Sequence, residues 1–534
     1  MVDRFQNGAV DNMPIAADDP QGWHGGDIQG AIANLDRLQA LGVHTLWLTP
    51  LTASRQEPFH EWGAYHGYWP QSLSEIEPRF GDWKDLERLQ DALKQRDMSL
   101  MLDMVYNHVA FNSPLLETHP EWFHSPTPIT DWENLDQVRN GQVHGLPDLA
   151  QENPALSEYL INSTILWLQK TGAESIRVDA VRHIDPDFIR SLKAAIQKRH
   201  PTPVELVGEI FEGNAATLAQ NWRETEVDRV FDFPLYYALM DTVCEGENVG
   251  RLGSVLSLDR LYDNPQGLVT FLDNHDLPRL GSKCTNEEAE AALWLLATLR
   301  GSPAVTWGTE GLSPGEEEPQ NRQVLSKTID DENTLSMVRK SLLFRANNPV
   351  FQTGLTRILF LDETLLVFLR VHGDQAAIVG FGSGAHPSIT LPAWMQDLRV
   401  QSEVGNMDIK GGEALFTKSG TSIAVFQSPK IADQYQKMKT EADSPIYRTV
   451  QIAGENDQFL SGAGPELGNW TTDGSHGFVD GVITLEFPVH QVMSFKRYSL
   501  KNGHALWDQS QNQSTLVLPG ASVLEVPTPK KVTP

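Results

Sequence analysis

Four stretches of the chain join reactive side chains to the pattern of a buried strand: DMVYNHV from Asp103, SIRVDAVRHI from Ser175, ELVGEIF from Glu205 and TFLDNHDLPR from Thr270. Each opens with apolar, largely β-branched residues over a strand's length and ends in charged or polar ones. Buried parallel strands look like this where they emerge at a rim. Three of the stretches deliver one acid each, Asp179, Glu209 and Asp276, and histidines flank them at His108, His183 and His275. These are the residue types of nucleophilic and general acid–base chemistry, gathered at one end of successive strands.

Between the acids lie segments long enough for crossover helices, which predicts an α/β fold, a (β/α)8 TIM barrel with its site at the C-terminal ends of the strands. Ile28, Ile32, Leu35, Leu38 and Leu41 stand at helical spacing, and HTLWLTPL from His44 reads as the second strand. Helices are expected over about 80–97, 156–170, 186–199 and 333–347, with RVFDFPLY as the sixth strand and GSPAVTWGTEG as the eighth. Residues 109–153 break the pattern in a Pro-, Trp- and Asn-rich excursion too long for a βα loop, so a small inserted subdomain is expected after the third strand. The barrel is thus assigned to 1–348. Alternating runs such as TLLVFLRV and QAAIVGFG assign 349–428 to an antiparallel β domain. The polar, Lys-rich stretch 429–445 reads as a linker, and 446–534 as a β-sandwich, with alternation in VITLEFP and FKRYSL.

The four stretches resemble the signature regions of the α-amylase family of retaining glycoside hydrolases and transglycosylases, in that family's order and roughly its spacing. The likeness runs from Met1 to about Gln427. It implies that Asp179 is the nucleophile, Glu209 the acid/base, and Asp276 the carboxylate that hydrogen-bonds sugar hydroxyls in the transition state. It further implies that His66, Tyr68 and Trp69 floor the subsite of the cleaved bond's glucose, that His108 and His275 bridge sugar hydroxyls, and that Arg182 and His183 form the acceptor-side pair. Arg177, two residues before Asp179 on the same strand face, is suited to keeping Asp179 ionised. Phe211, two residues after Glu209, occupies a place where an apolar ring in relatives favours a sugar over water as acceptor, although an aromatic after a strand is also ordinary core. Asp103, just before the rim, is expected to support the site.

By the same resemblance Asn107, Asp148 and the carbonyl of His183 match the ligands of a structural Ca2+ ion, which takes hard oxygen ligands. A second ion near Asn7, Asn12 and Asp27 is an alternative to plain turn formation by those residues. MVDRFQNG resembles the end of the family's first strand without its apolar first half, so the first strand is expected to be shortened. GPELGNW and ALWDQSQNQ resemble two motifs of a starch-binding domain. Trp507 matches one of the two tryptophans that make its stacking platform, with Asn512 as the hydrogen-bonding partner, whereas Phe478 stands where the other Trp is expected and Trp470 reads as structural.

With 534 residues the chain is too long for one core. The balance of 42 Lys+Arg against 70 Asp+Glu, formal charge -28, repels phosphate backbones and anionic membranes and fits neutral substrates, starch and maltooligosaccharides by resemblance. No run of 18 or more apolar residues offers a membrane span. Nucleic acid and membrane are therefore not expected as partners, and the protein is expected to be monomeric. Cys244 and Cys284 are its two cysteines, too few for a disulfide scaffold, and whether they pair is open. The chain shows no signal peptide, and an extracellular location is implied by the resemblance alone.

Overall fold

Seven short runs form one parallel sheet that curls into the barrel: β1 (Thr45–Trp47), β2 (Ser99–Met104), β3 (Ser175–Val178), β4 (Glu205–Gly208), β5 (Arg229–Phe231), β6 (Leu268–Thr270) and β7 (Ser302–Pro303). They pair in chain order, each parallel to the next. The computed structural model describes residues 1–9, 16, 18–324, 332–382, 384, 386, 388–510, 512–520 and 523–526. β3 is buried throughout and β4 in all but its first residue, as strands covered on both faces must be.

The crossover helices begin and end where their caps dictate. Pro154–Thr171 starts on the Asn153 side chain and stops at Gly172, whose left-handed φ of 59° needs no Cβ. Trp83–Lys94 and Asn286–Thr298 each open with a reciprocal capping box, Asp82 with Asp85 and Thr285 with Glu288. The helix expected over Ile28 to Leu41 is divided into Ile28–Ala33 and Leu35–Ala40. At the break, Asn34 spends its side-chain amide on the carbonyl of Gly30 and on Gln6.

The expectation of a shortened first strand is corrected. Val2–Phe5 forms a helical turn, because Asp3 accepts the amides of His24 and Gly25 while Arg4 binds Asp3, the carbonyls of Pro20 and Gly22, and the face of Tyr65. β1 and β7 are not paired with each other. A cavity of about 640 Å³ lies there, lined by Leu46, Trp47, Met101, Val207, Phe231 and Val269 among others.

Two β regions follow. The first has a five-stranded antiparallel sheet, whose central members are Leu365–His372, Gln375–Gly382 and Gly420–Gln427, and a three-stranded one. The stretch read as a linker, 429–445, instead contains the helix Lys430–Asp443. Ile431, Tyr435 and Met438 recur at helical spacing and pack on the first β region, a periodicity hidden by the charged composition. The C-terminal region forms a three-stranded and a five-stranded sheet around a core that includes Val450, Phe478 and Phe495. It docks on the barrel helix Gly250–Ser257, where Ser257 Oγ accepts from the amide of Val492 at 2.6 Å. A Cβ on Gly250 would fall 2.4 Å from Cβ of Ser514, so only glycine permits that approach.

Cys244 and Cys284 are joined in a disulfide that closes a loop of 40 residues in sequence separation. Removing such a cross-link frees the unfolded chain and typically costs about 2–4 kcal/mol. Cys244→Ser is therefore expected to lower the melting temperature measured by calorimetry. An unchanged melting temperature would contradict that expectation.

Candidate active site

The C-terminal ends of β2, β3 and β4 meet around Arg177. Cα pairing places Asp103 of β2 level with Arg177 of β3, and Arg177 level with Val207 of β4, so side chains from three strands converge at one height. Arg177 is buried. Its Nη1 donates to Asp103 Oδ1 at 2.9 Å and to Asp179 Oδ1 at 2.6 Å, and its Nη2 lies 2.6 Å from Glu209 Oε1. Trp47 Nε1 and Tyr68 Oη both donate to Asp103 Oδ2 at 2.9 Å. Asp103 is thus engaged on both oxygens. After Asp179 the chain turns through Ala180 in the left-handed region, φ 47°, which points the Ala180 amide at Glu209 Oε2 at 3.0 Å.

The charges set the protonation. Burial pushes Glu209 up to about 7 against the pull of Arg177, and the charges of Asp179 and Asp276 add to the push. Burial likewise lifts Asp103 to about 6. Asp276 stands across from them beyond β6. Its Oδ1 accepts from Arg322 Nη2 at 2.8 Å, and His275 Nε2 lies 3.2 Å from its Oδ2.

The rings of His66, Tyr68 and Trp69 pack together beside Asp103. His275 stacks on Tyr68 with 5.2 Å between ring centres, and His66 stacks on Tyr68 and meets Trp69 edge-on. His66 Nδ1 accepts the Tyr68 amide at 3.0 Å, which in the neutral ring leaves the proton on Nε2. Burial lowers His66, His108 and His183, and drives His275 down to about 3, which favours the uncharged ring in each. Both nitrogens of His108 have protein partners, Asn107 and the carbonyl of Tyr68. Arg182 reaches the Trp132 carbonyl at 3.0 Å and lies 3.5 Å from Glu212, and His183 Nδ1 donates to the Val138 carbonyl at 2.9 Å. Phe211 is 46% exposed and rests on Phe233, which makes it a rim residue rather than core.

A family model for the alpha amylase catalytic domain matches residues 1–348. The chain belongs to the alpha-amylase family. Among known relatives, a β/α-amylase of Paenibacillus polymyxa is 29% identical over 71% of this chain, which spans only 32% of that protein. A cyclomaltodextrin glucanotransferase of Klebsiella oxytoca is 25% identical over 88% of this chain and 82% of its own length. Among solved structures, an Anoxybacillus α-amylase superposes with a TM-score of 0.73 at 30% identity, covering 80% of this chain and 96% of its own. Membership makes the chain a glycosidase.

Two of the residues matched to the family's calcium site, Asn107 and Asp148, lie together at the base of the excursion, where His108 bridges to Asp148 and the Leu149 amide donates to the Asn107 carbonyl at 2.8 Å. Asn107 and Asp148 are buried, and Asn107 Oδ1 and Asp148 Oδ1 each have no hydrogen-bond partner. Two orphaned hard oxygens fit a cation. Asp148 Oδ2 is taken by His124 Nδ1 at 2.6 Å, and burial lifts Asp148 to about 6. Among the described residues no group of three or more His, Cys, Asp and Glu is arranged around a metal position. At the second suggested ion position, Asp27 caps Ile28–Ala33 and accepts the amides of Gly8, Ala9 and Gly30. Asn12 lies outside the described residues. In the C-terminal region, Trp507 is half-buried against Tyr498, 4.7 Å between ring centres, and Asn512, half-buried, directly precedes Gln513–Val517. Phe478 is core, and Trp470 packs against the barrel, as a structural residue does.

Arg322, Glu318 and Tyr65 escaped the sequence reading. Arg322 and Glu318 sit in a loop without a motif and Tyr65 directly precedes His66; the fold brings Arg322 to Asp276, Glu318 to Arg322 and Tyr65 to Glu318.

A general acid must be protonated to act, and Glu209 loses its proton as pH rises through about 7. The kcat/KM profile on a glucan is therefore expected to fall on its basic side near pH 7. A profile flat to pH 9 would contradict this assignment.

Proposed function

We propose that the protein hydrolyses internal α-1,4-glucosidic bonds of starch and related glucans by double displacement with retention. The observation that carries this reading is the single guanidinium of Arg177, which holds Asp179 on one arm and Glu209 on the other. Two carboxyl groups so held, one raised in pKa, match the division of labour of a retaining glycosidase. In the first step Asp179 attacks the anomeric carbon while Glu209 gives its proton to the departing glucosidic oxygen. In the second, Glu209 takes a proton from water, whose oxygen displaces Asp179 and releases the sugar. Asp276 and His275 bind sugar hydroxyls, an interaction that gains strength as charge develops at the ring.

The rim favours a second reading as well. Phe211 exposes an apolar ring two residues after the acid/base, where it disfavours water as acceptor, and transfer to a second sugar would make the enzyme a glucan transglycosylase, such as a cyclodextrin-forming one. A non-catalytic glucan-binding protein would leave the paired carboxylates without a task.

Calcium would be held by Asn107, Asp148 and the His183 carbonyl, where its charge would clamp the excursion to the barrel. The C-terminal region, with Trp507 and Asn512, would give a secondary contact to starch. An extracellular place of action is supported by the disulfide, which persists in oxidising surroundings.

Timed product analysis on soluble starch with calcium present is the test. Linear maltooligosaccharides that vanish in Asp179→Asn are expected. Cyclic or lengthened products would transfer the assignment to the second reading, and no product from the folded wild type, or activity surviving Glu209→Gln, would overturn both.

A further inference from the structure

We infer that Arg322 is a positioning residue for Asp276, acting from the loop after β7 on the carboxylate assigned to the transition state. The inference rests on the glucan-cleaving reading and extends it to a residue outside the four signature stretches.

Arg322 lies 46 positions beyond Asp276 and is buried. Its Nη2 donates to Asp276 Oδ1 at 2.8 Å, and its Nε donates to the carbonyl of His275, also at 2.8 Å. One planar group therefore grips both the carboxylate and the peptide that carries it. Asn321 completes the clamp, because its amide donates at 3.1 Å to the carbonyls of His275 and Leu277, on either side of Asp276. Arg322 is itself fixed. Nη1 contacts Glu318, Tyr65 Oη donates to Glu318 at 3.0 Å, and the Arg322 carbonyl accepts from Arg4 Nε at 3.0 Å. A lysine could supply the charge but not these simultaneous bonds.

The groups that act electrostatically with Asp276 are His66, Tyr68, Arg177, Glu209, His275 and Arg322. Burial of Asp276 would raise its pKa, yet it is held below the ordinary carboxylate value by His275, Arg322 and Arg177 together. His275, driven down to about 3 by burial, is uncharged at neutral pH. Arg177 directs its nitrogens at Asp103, Asp179 and Glu209. The cation in contact with Asp276 under working conditions is therefore Arg322.

A double-mutant cycle tests this on starch with Arg322→Met, Asp276→Asn and the pair. Arg322→Met alone is expected to lower kcat on the order of 10²-fold with KM changed less than about threefold, the scale of losing one preorganised transition-state contact. In the Asp276→Asn background the same change is expected to cost at most about threefold, since a residue that acts through another loses its effect when that one is gone. Additive losses would overturn the inference. Carbon-13 titration of labelled aspartates, with the Asp276 signal identified by its absence in Asp276→Asn, is expected to show Asp276 protonating at higher pH in Arg322→Met and near wild type in Arg322→Lys. An Asp276 titration unmoved by Arg322→Met would equally overturn it. The lysine variant covers the case in which methionine prevents folding. An inactive wild type would contradict the glucan reading alone, because the titration needs no turnover and still decides the role of Arg322.

Discussion

Arg177 is one buried cation among three carboxylates, and that imbalance organises the site. Its nitrogens meet Asp103, Asp179 and Glu209 within 2.9 Å, and Asp276 adds a fourth negative charge nearby. In a medium that solvates charge poorly, one guanidinium cannot keep three acids ionised, so protonation of at least one is the cheaper state. Burial and neighbouring charge direct the proton to Glu209 and Asp103, lifted to about 7 and about 6. Asp103 is already occupied by Trp47 and Tyr68 on its second oxygen. Glu209 is the group left to give its proton away. In the proposed mechanism the division into acid and nucleophile follows from counting charges around one side chain.

The barrel exists, for this purpose, to hold that count. Level pairing across β2, β3 and β4 sets Asp103 beside Arg177, and the left-handed Ala180 turns the chain so that a backbone amide restrains Glu209. Capped helices between strands fix where each strand ends. A shift of one residue in any strand would send these side chains to the other face. The two later β regions reach the same body through the docked helix Gly250–Ser257 and the packing of Thr421 Oγ1 on the Ala291 carbonyl at 2.8 Å.

Much of this was legible in the residues. Apolar runs ending in acids located β2, β3, β4 and β6, and the motifs named the carboxylates and the histidines around them. What escaped had no local signal. Arg322 is a lone arginine in a polar loop, and only tertiary approach makes it a partner of Asp276. The helix Lys430–Asp443 was masked by charge, because three apolar residues at helical spacing among lysines and acids weigh little in composition. Val2–Phe5 became a turn since Asp3 and Arg4 find partners in distant loops. The Cys244–Cys284 pairing needed a distance that sequence does not carry.

The most direct test of the charge-counting account is to trap the covalent intermediate. Glu209→Gln would be treated with an activated maltooligosyl fluoride whose leaving group needs no acid, and the protein would be digested and mapped by mass spectrometry. The account predicts a glycosyl adduct on the peptide containing Asp179, absent in Asp179→Asn. An adduct on another carboxylate, or none together with a product of inverted anomeric configuration, would contradict it.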